Sequence, residues 1–112
     1  MSSGRSLGSR LLKYRLRYLK LAQSDLQEIA DFNRRFSEKY QTEILSKIEQ
    51  ACSGLKDSPE NLPDYRLAPS FKRLIVNDYL VFFKVDGTTH VVSIYRILHA
   101  KRDTLTLLKD DI

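Results

Sequence analysis

Cysteine is nearly absent from this chain of 112 residues, and that absence excludes a good deal. The lone Cys52 cannot form an intramolecular disulfide, which fits a reducing, cytoplasmic setting. With one Cys and two His far apart in sequence, the donor set for a structural zinc site is missing. No apolar run approaches the roughly 18 residues of a membrane span, so no membrane role is expected. The three prolines all fall between Pro59 and Pro69, and regular structure can run unbroken on either side. Missing too are GxxxxGK[ST], GxGxxG after a strand, GxSxG and HExxH. Nucleotide-binding loops, dinucleotide folds, esterase elbows and zinc peptidases are thereby set aside, and no cofactor is expected. The carboxylates lie mostly on helix faces, without an inward pair for glycosidase chemistry.

What is present is a single-domain amount of ordinary globular composition, 42% hydrophobic and 29% charged. Residues 1–11 are rich in Ser, Gly and Arg and read as a flexible arm or cloning remnant. Residues 12–112 read as one domain. The net charge of +5 is unevenly spread. Both ends are basic and the middle, residues 21–65, is acidic, so ends that met in space would make one basic surface.

Leu12, Tyr14, Leu16 and Tyr18 alternate with Lys13, Arg15 and Arg17, the period of a half-buried strand. Ser24 and Gln27 have the spacing of a capping box, which predicts a first helix from there. Its stripe is Leu26, Ile29, Ala30, Asn33 and Phe36. Ser37 is placed to cap a second helix with the stripe Tyr40, Ile44, Ile48, Ala51 and Leu55, stopped by Asp57-Ser58-Pro59. Residues 59–69 read as a loop. Three strands follow, Phe71–Val76, Tyr79–Val85 and Val91–Leu98, joined by turns at Asn77-Asp78 and Asp86-Gly87-Thr88-Thr89. The last, apolar on both faces, is expected to be central. The predicted fold is α+β, ordered β-α-α-β-β-β, with a helical hairpin packed on one face of a mainly antiparallel, twisted sheet.

Candidate functional residues crowd the last third: Lys72, Arg73, Lys84, Arg96, His99, Lys101 and Arg102. Strict alternation sets Arg73 opposite Lys72, and Arg96 on one face with Val92, Ile94 and Leu98. Arg73 and Arg102 have the forked guanidinium that grips a phosphate, and His99 can move a proton near neutral pH. Together they would suit RNA binding or charge stabilisation during phosphodiester cleavage. Lys72, Arg96 and Lys101 would serve as RNA- or target-binding cations. The alternative reading of the same residues is a capped strand end with solvated ion pairs.

Two segments carry a resemblance. Ala22-Gln23-Ser24-Asp25-Leu26-Gln27-Glu28-Ile29 resembles the A-x-x-D-L-x-x-I that leads into the first helix of RelE/ParE-superfamily toxins. Arg96-Ile97-Leu98-His99-Ala100-Lys101-Arg102-Asp103, after the Tyr79–Gly87 strand, is similar to the closing R-I-L-H-x-x-R-D of that superfamily. The likeness runs from about Tyr14 to Leu108 and implies the toxin of a type II toxin–antitoxin system, which arrests growth. It also implies a cognate antitoxin, acidic and partly disordered when free. The superfamily divides by target. In the RelE branch, a ribosome-dependent mRNA endoribonuclease, Arg73 and Arg102 would hold phosphate and His99 would transfer a proton. Leu80 and Leu107-Leu108 stand where that branch has Arg and Tyr. The tail from Ile97 through Leu108 is closer to the ParE branch, whose I-L-H-x-x-x-D-L-x-T-x-L accompanies inhibition of DNA gyrase. Gyrase is therefore the first expectation, and the ribosome with mRNA the second.

Overall fold

The computed structural model of the chain describes residues 13–57 and 59–101. Strand β1 (Arg15–Tyr18) leads through Leu19 into α1 (Lys20–Arg34), and a short turn joins α1 to α2 (Glu38–Ser53). Strands β2 (Asp64–Tyr65), β3 (Ala68–Val76), β4 (Tyr79–Asp86) and β5 (Val91–His99) complete one sheet of order β1-β5-β4-β3-β2. β1 runs parallel to β5, and the other pairings are antiparallel. The expected α+β architecture holds, with β5 inside the sheet.

Both helices lie on one face. There Ala22 and Ile29 of α1, Ile44, Ile48 and Cys52 of α2, and Val81, Phe83, Val92, Ile94 and Ile97 of the sheet form one continuous core. Cys52 is thus a core residue, packed where a small apolar side chain fits. Ser37 caps α2 as the spacing implied, its Oγ accepting from the Tyr40 N–H at 2.9 Å. Asn33, the polar member of the α1 stripe, is buried but satisfied. Its Nδ2 donates to the Ile29 carbonyl (2.7 Å) and to the Tyr79 hydroxyl (3.2 Å).

Four expectations need correction. Helix α1 begins at Lys20 rather than behind a Ser24 cap, and its N-cap, Leu19, has no side-chain bond. β1 hands directly into the helix because the Leu19 N–H donates to the Ile94 carbonyl (2.9 Å), leaving no room for a separate cap. Ser24 and Gln27 are interior, and Gln27 bonds Asp31 instead. Helix α2 ends at Ser53, and residues 54–56 tighten into a 3-10 turn before Asp57 is reached. The 59–69 loop contains a second 3-10 turn, all of β2 and the start of β3. A two-residue strand is too short to show alternation. Lastly, Leu98 does not share a face with Val92 and Ile94. The β4–β5 register shifts between Phe82 and Phe83, paired with Arg96 and Ile94, so Tyr95 is an extra residue. This bulge resets the alternation, sending Ile97 to the helix side and Leu98 to the opposite side with Phe71 and Phe82.

Candidate functional site

Arg96 keeps the helix-side face that alternation gave it with Val92 and Ile94. Its guanidinium turns under α1 and grips Asp25 in a forked pair, Nε to Oδ2 at 2.8 Å and Nη2 to Oδ1 at 3.0 Å. Asp25 Oδ2 accepts as well from the Ile97 main-chain N–H at 2.9 Å. Only 8% of Arg96 and 4% of Asp25 is exposed. A buried carboxylate holding three donors is a rivet between helix and sheet, and it requires both partners. Arg96, expected as a target-binding cation, is committed inside the fold.

His99, at the end of β5, turns toward the helices. Its ring stands edge-on to Tyr79, centroids 5.4 Å apart, and its Nδ1 accepts from the Lys101 N–H at 3.1 Å. It lies between two adjoining grooves. One, of about 440 Å³, is bordered by Asp25, Glu28, Asp31, Phe32 and Arg35. The other, of about 550 Å³, runs under Phe36, Tyr40, Asn77 and Asp78. The surroundings of His99 are thus mixed in charge rather than purely cationic. Phe32, Phe36 and Tyr40 stack edge-to-face across the helical turn, centroids 5.5 and 6.5 Å apart. All three are exposed, Phe36 to 68%. Such a contiguous aromatic shelf on a small protein marks a contact surface.

Among the described residues, the other face of the sheet carries no helix. Leu16 and Tyr18 pack into the helix-side core, so Arg15 and Arg17 alternate to this bare face. Arg73 lies over the Tyr65 ring, 4.9 Å from its centroid, and Lys84 sits between Phe71 (4.7 Å) and Tyr95 (4.8 Å). Cations from both basic ends of the chain thus share one surface, interleaved with aromatic rings.

Arg73 and His99 are therefore not neighbours. They face opposite sides of the sheet, two strands and three residues apart, which puts their Cα atoms roughly 14 Å from each other. Lys72 is on the helix side, opposite Arg73 as alternation predicted, with Nζ bound to the Leu62 carbonyl (2.7 Å) and Asp64 (3.1 Å). Lys101 is exposed beside His99. Arg102 lies outside the described residues. Among those residues, no three His, Cys, Asp or Glu side chains gather as a metal site would need.

A comparison with protein families places this arrangement. The profile of the ParE toxin of type II toxin–antitoxin systems, parDE, matches residues 16–104. The chain belongs to the ParE toxin family. It is a type II toxin of the RelE/ParE superfamily, as the helix lead-in and closing motif implied. No curated protein sequence matches it. Solved structures resemble the ParE-family fold closely despite low identity. A chain of the chromosomal ParDE system from P. aeruginosa has a TM-score of 0.71 at 17% identity, over 80% of this chain and 99% of that one. The RelBE2 toxin–antitoxin complex of Mycobacterium tuberculosis gives 0.60 at 22%, over 80% and 94%. A mutant of the E. coli toxin RelE in the free state gives 0.60 at 14%, over 89% and 99%.

In this ParE-family chain, two features escaped sequence reasoning. The Asp25 clamp lay within the quoted lead-in motif, but its partner is 71 residues away, and spacing alone does not pair them. Of the aromatic shelf, Phe36 and Tyr40 were read as helix stripe because they continue the apolar period, and Phe32 lay outside that stripe, yet all three are exposed. Among the described residues no helix is long and apolar enough to cross a membrane.

Proposed function

We propose that this toxin arrests growth in the ParE manner, by binding and inhibiting DNA gyrase in the cytoplasm. The observation that carries the reading is the separation of Arg73 from His99. Cleaving a phosphodiester requires a proton-transferring group and a phosphate-holding group within hydrogen-bond reach of one substrate. Here Arg73 and His99 stand on opposite faces and cannot serve one phosphate together, which supports a contact role for His99. The aromatic shelf of Phe32, Phe36 and Tyr40, with His99 and Lys101 at its border, is the surface offered to the target. Exposed aromatic clusters of this kind supply most of the binding energy in protein contacts.

The second reading, a RelE-like ribosome-dependent nuclease, draws on the bare face. Arg15, Arg17, Arg73 and Lys84, interleaved with Tyr65 and Tyr95, would suit an RNA strand. In either reading the cell must hold a cognate antitoxin, acidic and partly disordered until it folds onto the toxin. Complementary charge on a basic toxin would speed its capture.

Induced expression in a susceptible bacterium tests the choice. Gyrase inhibition predicts an SOS response within minutes while messages stay intact. Codon-linked cuts in translated messages without an SOS response would overturn it in favour of the nuclease.

A further inference from the structure

Strand β3 is left partly bare along its outer edge. It meets β2 only at Asp64↔Lys72 and Tyr65↔Ala68, yet runs on to Val76. On its inner side β4 pairs with it from Lys72↔Phe83 to Val76↔Tyr79. The parity of that ladder identifies the main-chain groups left over. Asn77-Asp78 is a two-residue turn, so Val76 and Tyr79 exchange hydrogen bonds, and after them Leu74 with Val81. The Ala100 N–H donating to the Asp78 carbonyl at 2.8 Å agrees, since it directs Asp78 toward β5 and leaves Tyr79 for β3. The N–H and C=O of Ile75 therefore point outward. So does the carbonyl of Arg73, opposite Pro63, which has no N–H to give. Beyond Lys72, no strand among the described residues pairs with this edge.

A groove of about 550 Å³ lies along it, bordered by Tyr65, Arg66, Leu67, Arg73 and Ile75. Ile75 is 62% exposed and Leu67 55%. Proteins normally blunt an open edge with charge, proline or a covering segment, because it templates pairing with another chain. An edge that presents isoleucine beside a groove is set to receive one. We infer that it takes an extended acidic and apolar protein segment, which pairs with Ile75 and extends the sheet. Resting on the antitoxin reading above, the inference assigns that segment to the antitoxin. Strand alternation specifies its pattern. An apolar side chain lies against Ile75, with a carboxylate two positions along against Arg73. Asp64 does not offset this charge, since Lys72 pairs with it. A second copy of the toxin fits less well, because it would bring Arg66 and Arg73 against their own kind.

The test is residue-resolved amide exchange by NMR on the full chain, alone and with the protein encoded beside it. Binding should slow exchange at Ile75 at least tenfold, while Leu74 and Val76, already bonded to β4, remain slow throughout. Ile75→Pro removes the outward N–H without costing a β4 bond, and should weaken the complex about tenfold with the fold intact. Arg73→Glu, which keeps the backbone unchanged, should weaken it by a similar factor. A complex that forms with Ile75 still exchanging fast, and with both variants binding normally, overturns the inference while leaving the antitoxin reading intact. Slow exchange at Ile75 in the isolated toxin would mean that the chain fills its own edge, and overturns it too. If the neighbouring protein does not bind, the antitoxin reading fails and the inference falls with it.

Discussion

The two faces of the sheet are built from similar residues and put to opposite uses. On the helix side, α1 and α2 close over a continuous core, and the cation that points there, Arg96, is buried against Asp25. On the bare side a small cluster of Phe71, Phe82 and Leu98 is bordered by Tyr65 and Tyr95, and the cations Arg73 and Lys84 rest on aromatic rings. The lesson is that a basic residue's role follows from its face, not its charge. Arg96 is framework, and Arg73, 23 positions earlier in the chain, is surface.

Breaking the clamp should produce the largest effect. Asp25→Ala leaves Arg96 buried without its carboxylate and should cost about 3–5 kcal/mol in denaturant unfolding. Asp25→Leu with Arg96→Met should recover most of that loss, since apolar pairs of similar volume replace buried ion pairs well. The surface counterpart is Arg73→Ala, which should cost about 1 kcal/mol because a half-exposed cation–π contact contributes little. Equal losses at the two sites would erase the contrast between the faces.

The next effect concerns function. Phe32→Ala combined with Phe36→Ala should weaken the proposed gyrase inhibition about tenfold or more, as loss of an aromatic anchor does, with little change in unfolding. His99→Ala should lower it far less than the roughly 10²- to 10⁴-fold that removal of a catalytic acid or base produces. A loss in that range, read in a growth or supercoiling assay, would make His99 catalytic after all.

Smaller still is the cap. Ser37→Ala removes the hydroxyl that accepts from Tyr40 N–H and should cost about 1 kcal/mol by thermal unfolding. The smallest effect belongs to the β4–β5 turn. The Asp86 carboxylate accepts from the Thr89 and Thr88 N–H groups, which hold its pKa below the usual value. A depressed folded pKa means that the stabilisation is complete above the unfolded value of about 4 and is lost as pH falls through the folded one. Amide protection at Thr88 and Thr89, relative to the unfolded chain at the same pH, should therefore fall below about pH 4. Asp86→Asn should flatten that dependence.

Much of this was readable from sequence. Element order, the central β5, the Ser37 cap and both hairpin turns followed from period and turn chemistry, and the family from two short motifs. Alternation placed Arg73 and Lys72 on opposite faces. It failed at Leu98, because a bulge needs knowledge of the partner strand and leaves no mark in its own sequence. Arg96 kept the face alternation gave it, but its burial against Asp25, 71 residues away, could not be read from spacing. Likewise, the start of α1 was misplaced because Leu19 is fixed by a main-chain bond to β5 rather than by a capping side chain. The distance between His99 and Arg73 depends on pairing across two strands, which residue types alone do not specify.

The most direct test of the central claim uses purified toxin, wild type and His99→Ala/Arg73→Ala, in a DNA gyrase supercoiling assay beside a ribosome–mRNA cleavage assay. The account predicts that both proteins inhibit gyrase to a similar degree and that neither cuts mRNA on the ribosome. Untouched gyrase, with mRNA cut by the wild type and spared by the double variant, would contradict it.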